Sequence, residues 1–148
     1  MICHLEQDAI ERDSNLIWNT FVGIIAMPYE NLAPQQRPSH LVFVYESEVQ
    51  NGGHYQYFEN SRTDRLQETI TALDHLGAQR QKAVLKEAGE AFLSRQRAHP
   101  QSAEEFVAGA LEGEFSSFDA RFHECVPSLI EYLEEHLRLN LSTFIQVT

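Results

Sequence analysis

The side chains best placed to do chemistry in this sequence are amides and a tyrosine gathered around a pair of glycines. An Asn-Gly-Gly break separates two apolar, aromatic-rich segments, and two further amides follow it. Buried amides need hydrogen-bond partners, so they serve either a polar ligand or the open backbone groups at two helix ends. The sequence favours a structural joint and leaves a ligand pocket as the alternative. The residues concerned are Asn51, Gly52, Gly53, Gln56, Tyr57 and Asn60.

The other polar groups form no recognisable catalytic or metal-binding pattern. The seven histidines are scattered, and the chain has no HExxH, CxxC, GxSxG or phosphate-loop motif. Glu46 and Glu48 stand two positions apart, so on a helix they point to different faces rather than forming an acid/base pair. We therefore expect a protein that is not an enzyme and that has no metal and no cofactor.

The segments on either side of the break read as helices. Residues 41–45 alone would suit a buried strand, but apolar side chains recur at every fourth position up to Val49, and no second strand is evident to pair with them. We therefore predict a buried helix over about residues 39–50 and a short second helix over about residues 54–60. Glycine tolerates the positive φ angles that such a break needs.

Apolar periodicity predicts further helices on both sides of this joint. The first covers residues 10–25, with Asp13 or Ser14 available as an N-cap. A capping-box pattern, Ser102-Ala-Glu-Glu105, precedes a later one. The longest apolar stripe covers residues 118–137 and must kink or restart at Pro127, since proline lacks the amide donor. The prediction is an all-α fold, a single compact domain over residues 1–148 with about seven helices and no strand.

Composition limits the class of protein. A chain of 148 residues with 43% hydrophobic residues suits one domain with a real core. No apolar run approaches the ~20 residues of a membrane span, and the N-terminal segment is too acidic for a signal peptide. Cys3 and Cys125 cannot form a disulfide framework, so we expect free thiols and a cytoplasmic protein.

The charge is strongly negative and unevenly distributed. The formal net charge is −11, with −6 in residues 1–61, +2 in residues 62–97 and −7 in residues 98–148. Such a chain repels nucleic acid and anionic lipid and attracts basic proteins. The seven carboxylates expected to bind a partner are Glu104, Glu105, Glu112, Glu114, Glu131, Glu134 and Glu135.

Three segments carry a resemblance to a known family. Glu48-Val-Gln-Asn-Gly-Gly-His-Tyr-Gln-Tyr-Phe-Glu-Asn-Ser61 resembles the signature E-V-x-N-G-G-φ-x-Q-Y-F-x-N-S of a bacterial family of small all-helical domains. Leu73–Ala78 and Phe118–Phe122 resemble two later segments of that family, so the likeness covers about residues 38–138. One departure is His54, where the family usually has Phe.

The resemblance implies an all-α fold and, by analogy with an acidic, dimeric DNA-mimic member, a role in protein binding. We therefore expect an acidic interaction protein that binds a basic protein surface, such as a DNA-binding transcription factor, without binding nucleic acid or membrane itself. A homodimer is compatible with the sequence. Two alternatives stay open: a small-ligand-binding or enzymatic pocket at the joint, and an immunity-type inhibitor of a basic toxin.

Overall fold

The chain is organised around one long helix that is broken in its middle. The computed structural model describes residues 1–61 and 63–148. Helix α3, Arg37–Ser61, has non-helical backbone at Gly52 and Gly53, so it consists of two helical halves joined at a kink. The predicted buried helix, its break and the short second helix are therefore confirmed.

The described part of the chain has eight α-helices including α3, one more than the seven expected. Two short 3-10 turns, Tyr29–Asn31 and Leu141–Thr143, connect them. In chain order the elements are β1 Cys3–Leu5, α1 Gln7–Arg12, α2 Leu16–Ile25, α3 Arg37–Ser61, α4 Leu66–His75, α5 Gln79–Leu93, α6 Ala103–Leu111, α7 Ser116–Glu124, α8 Leu129–Leu139 and β2 Ile145–Val147.

The predicted first helix is two helices, α1 and α2. Between α1 and α2 the Asp13 carboxylate accepts a hydrogen bond from the Asn15 amide at 2.9 Å. A short polar side chain that bonds the nearby backbone in this way competes with the helical hydrogen-bond pattern. The apolar run over residues 10–25 is therefore divided: α1 ends at Arg12, and α2 begins at Leu16, just after the two N-caps that the sequence offers.

A small parallel sheet joins the two ends of the chain. Cys3 of β1 pairs with Ile145 of β2, and Leu5 pairs with Val147. The prediction of no strand is wrong in this detail, because strands of three residues are too short to show an alternating pattern. The fold class remains all-α.

Helices α6 and α8 begin at serine side chains that accept a hydrogen bond from the helix backbone. The apolar stripe restarts after Pro127 as α8, whose cap is a full capping box between Ser128 and Glu131. At α6 the predicted capping box is half formed. The Ser102 hydroxyl accepts from the Glu105 amide, but the Glu105 carboxylate accepts from the amide of Gln101.

The core lies along both halves of α3. This helix packs against α2, α4, α6, α7 and α8, so the Gly-Gly joint is held from several sides. No helix among the described residues is long and apolar enough to cross a membrane. The largest fully buried side chains include Tyr45, Phe21, Phe58, Phe115, Phe144, Leu85 and Leu133.

Candidate functional site

The second half of α3 is capped by an aspartate from another helix. The backbone amide of His54, the first residue after the break, donates to the Asp119 carboxylate at 2.8 Å. The first amides of a helix have no partner within the helix, and its N-terminus favours negative charge. Asp119, in α7, therefore supplies over a sequence separation of 65 residues what an N-cap side chain normally supplies locally.

Both glycines of the break are required by close approach. Gly53 has a φ of 73°, and a methyl group there would overlap the Asp119 carboxylate. A methyl group at Gly52 would overlap the side chain of Gln56. Residues with side chains therefore fit neither position without displacing the groups that hold the kink.

A buried hydrogen-bonded chain extends inward from Asp119. The His54 ring is fully buried; its Nδ1 lies 2.7 Å from Asp119 Oδ1 and its Nε2 lies 2.7 Å from the Tyr45 hydroxyl. An ionised carboxylate only accepts, so Nδ1 carries a proton and donates to Asp119, while Nε2 is hydrogen-bonded to the Tyr45 hydroxyl. Both ring nitrogens of this buried histidine therefore have a hydrogen-bond partner. Aromatic rings of Phe58, Phe118 and Phe122 surround it.

The environment fixes the protonation of the outer members of this chain. Burial raises the pKa of Asp119, but hydrogen bonds from the His54 ring and amide outweigh it, so the pKa is lowered overall. Burial raises the pKa of the Tyr45 hydroxyl well above its usual value. At neutral pH Asp119 is therefore ionised and Tyr45 is protonated, which gives a fixed structural network.

The outer side of the joint is closed by a second network centred on Glu48. Its Oε2 accepts from the Gln56 amide at 2.9 Å and from the Asn60 amide at 2.8 Å. Glu48 lies before the break and both amides lie after it, so the carboxylate joins the two halves of α3. We expected these amides to bond open backbone groups; they bond a carboxylate instead, because Asp119 serves the helix end.

The residues proposed for a ligand pocket are divided between different environments. Asn51 is exposed, whereas Tyr57 is buried and lines a cavity of about 220 Å³ beside Asp64. Asn60 lines another cavity of about 440 Å³ beside His99. The structure therefore brings Gln56 and Asn60 together, but places Asn51 and Tyr57 apart from them.

The remaining titratable groups near α3 have structural partners. Burial raises the pKa of Glu46, whose carboxylate accepts from the Gln50 side chain at 3.0 Å. It faces a different direction from Glu48, as expected from their spacing. In the described residues, no group of three His, Cys, Asp or Glu side chains is placed to hold a metal ion.

The four predicted acidic residues on and after α6 differ in their partners. Glu104 and Glu112 are exposed and make no ion pair with any described residue. Glu105 is held by its bond to the Gln101 amide at 2.6 Å. Glu114 binds two arginines, and the hydrogen bonds from Arg97 are the main reason why its pKa falls to about 2.

The three predicted acidic residues of α8 also differ. Glu131 accepts from the Ser128 amide at 2.7 Å, Glu135 pairs with Arg138 at 2.6 Å, and Glu134 is exposed. Glu124 lies on a different helix, because it ends α7 before the restart at Pro127.

The two acidic groups lie on separate helices. Helix α6 contacts the second half of α3 through Phe106, whose ring lies 5.2 Å from that of Tyr55. Helix α8 lies beside the end of α4, where His136 and His75 have ring centroids 5.8 Å apart. Sequence reasoning also did not select four exposed carboxylates near the N-terminus, although their close spacing is visible in the sequence. These are Glu6, Asp8, Glu11 and Asp13.

The fold and the joint define a class of small all-helical domain, in which a central helix is broken at two glycines and capped by a distant aspartate. The sequence model of the family described as DMP19-like protein matches residues 30–140, three quarters of the chain. The chain belongs to the DMP19-like protein family. The match contains the joint, Asp119 and all seven predicted partner-binding carboxylates. No match was found among curated proteins or among solved structures.

Proposed function

We propose that this protein is a non-enzymatic, acidic interaction protein that binds the basic surface of a DNA-binding regulator in place of DNA. DMP19, for which the family is named, is a DNA-mimic protein. The net charge of −11 gives the chain the sign that such a partner requires. Family membership and charge are independent supports for the same proposal.

The observation that carries the proposal is the distribution of paired and unpaired charge. In the described part of the chain, most basic side chains of the middle segment, residues 62–97, pair with carboxylates. Arg65 binds Glu68, Lys82 binds Asp74, and two arginines converge on Glu114, whereas Arg80 and Lys86 make no ion pair with a described residue. Most of the carboxylates left exposed and outside any ion pair with a described residue lie on the N-terminal segment, on α6 and the residue that ends it, and on α8, whereas Asp64, Glu90 and Glu124 lie elsewhere. The first group includes Glu6, Asp8, Glu11, Glu104, Glu112 and Glu134.

Spacing limits how these charges imitate a duplex. Carboxylates one helical turn apart are separated by about 6 Å along the axis, whereas one DNA strand offers a charge every ~3.4 Å. A single helix therefore cannot match the density of DNA. The partner-binding surface must combine rows from several elements, and a homodimer would supply a second set.

The proposal is tested by capturing the partner from a lysate of the source cell at low salt. Duplex DNA is then added to the immobilised complex, and the released protein is identified. A DNA mimic and DNA compete for one site, so duplex DNA should release the partner. A captured toxin that DNA does not release would instead support the immunity-type alternative and contradict DNA mimicry.

A charge-matched pair of variants locates the binding surface. Glu104→Gln with Glu134→Gln removes two exposed carboxylates from α6 and α8. Asp64→Asn with Glu90→Gln removes two exposed carboxylates elsewhere and changes the net charge equally. Only the first pair should weaken binding at low salt. Equal effects of the two pairs would show that overall charge, rather than these helices, attracts the partner.

A further inference from the structure

Helix α6 is the least embedded of the longer helices around the joint. None of its nine residues is buried. It is anchored on one side, where Phe106 packs on the Tyr55 ring and the tyrosine hydroxyl approaches the backbone at Gly109. The opposite side of α6 therefore faces solvent.

That solvent-facing side carries an apolar stripe. Ala103, Val107 and Leu111 follow each other at i, i+4 and i+8, so they lie along one side of the helix. Val107 is 54% exposed and Leu111 is 81% exposed. Large apolar side chains at this spacing normally face a protein core, and here they have none to face.

An acidic stripe runs directly beside the apolar one. Successive residues of an α-helix are rotated by about 100° around the axis. Viewed along the axis, the direction of Glu104 therefore differs by about 20° from that of Leu111, and the direction of Glu112 differs from that of Leu111 by about 100°. Neither carboxylate makes an ion pair with a described residue, although Glu112 lines the same cavity as Arg95 and Arg97, which offset part of its charge. The same surface of α6 thus offers apolar contacts and, at Glu104, uncompensated negative charge side by side.

We infer that this surface of α6 is a docking site for a basic amphipathic helix of the partner protein. Leucine-type side chains of the partner would cover Val107 and Leu111, and its lysines or arginines would lie over Glu104 and Glu112. This inference rests on the proposed function and names the part of the surface and the kind of segment that it recognises. Helix α6 is about 13 Å long and matches between two and three turns of a partner helix.

Charge decides against the other occupants of such a surface. In a symmetric pairing with a second copy, Glu104 and Glu112 would lie close to the same residues of the other α6, and like charges repel. An anionic membrane would be repelled in the same way. A basic helix is the occupant whose charges complement both stripes.

The inference is tested with a labelled synthetic peptide of about 14 residues that has leucines at helical i, i+3, i+4 and i+7 positions and lysines beside them. Its binding to the protein is measured by fluorescence anisotropy at low and at high salt. Val107→Ala with Leu111→Ala should weaken binding about tenfold at both salt concentrations, because buried apolar area is lost. Glu104→Gln with Glu112→Gln should weaken it several-fold at low salt only.

Two controls make the result decisive. Leu93→Ala with Leu139→Ala removes two other exposed leucines, 64% and 65% exposed, and should leave the affinity unchanged. A peptide with glutamates in place of its lysines should not bind. Circular dichroism reports whether α6 stays folded, which alanine favours.

The outcomes separate the two proposals. Salt-dependent binding that ignores Val107→Ala with Leu111→Ala would overturn docking on α6 and leave the acidic function standing. Equal binding of the lysine and glutamate peptides, or none of either at low salt, would also overturn docking on α6, whereas only the competition with DNA decides the proposed function. Dimerisation lost on the same substitutions would identify a second copy as the occupant and overturn the inference.

Discussion

Removing the Asp119 carboxylate should expose how strongly the joint depends on a cap from a distant helix. In Asp119→Ala, the His54 amide and the His54 Nδ1–H both lose their acceptor, although the histidine remains fully buried. The kink would keep its glycines but lose the group that holds the second half of α3 at its N-terminus.

The cost follows from the two donors left without a partner. An unsatisfied buried donor costs about 1–3 kcal/mol, and loss of an N-cap alone costs about 1 kcal/mol. Because the amide is counted in both figures, we expect a loss of about 3 kcal/mol in the free energy of unfolding. For a domain of this size the melting temperature should fall by about 10 °C.

The loss is measured by urea unfolding followed by circular dichroism, with Asp64→Ala as the control. Asp64 is an exposed carboxylate, so its removal should change the free energy of unfolding by less than about 0.5 kcal/mol. If Asp119→Ala were as stable as that control, the cap would contribute nothing and the description of the joint would be wrong.

Three further predictions concern the same network and its surroundings. Tyr45→Phe and His54→Phe should each lower the free energy of unfolding by about 1–2 kcal/mol, because each leaves the other partner of the Nε2–hydroxyl bond buried and unpaired. The double variant removes both partners, so it should lose less than the sum. Additive losses in a double-mutant cycle would show that the two residues are uncoupled. Gly53→Ala should cost more than about 2 kcal/mol in urea unfolding, whereas Gly23→Ala in α2, where a methyl group meets nothing within 4 Å, should be neutral or stabilising; similar effects would refute the close approach. The pKa of Glu114 is lowered from 4.5 to about 2 in the folded state, so its ionised form stabilises the fold. This contribution to the free energy of unfolding, about 1 kcal/mol, is present above pH 4.5 and is lost as the pH falls toward 2. Glu114→Gln should remove that part of the pH dependence of stability.

Local pattern accounts for most of the helices. The recurrence of apolar side chains at every fourth position up to Val49 correctly predicted a helix rather than a strand. The two glycines correctly predicted the position of the break. The failures have local causes as well. The hydrogen bond from the Asn15 amide to the Asp13 carboxylate interrupts the helical pattern and divides the first helix. The two three-residue strands form only by pairing with each other, and neither segment alone indicates that pairing.

The partners of the joint could not be predicted, because they depend on tertiary contacts. Asp119 stands in a segment that itself resembles the family, yet nothing in its spacing indicates contact with His54. Glu48 was considered only as half of an acid/base pair. Likewise, which carboxylates remain unpaired depends on where arginines fold back, as the two that bind Glu114 do.

The most direct test of the proposed function is a displacement titration on the captured partner. Labelled duplex DNA is bound to the partner at low salt, and this protein is added while the anisotropy of the DNA is followed. We expect complete displacement at low salt and a large loss of competition as salt increases, because the attraction is between charged surfaces. A partner that holds DNA and this protein together, or binding that ignores salt, would contradict the proposal.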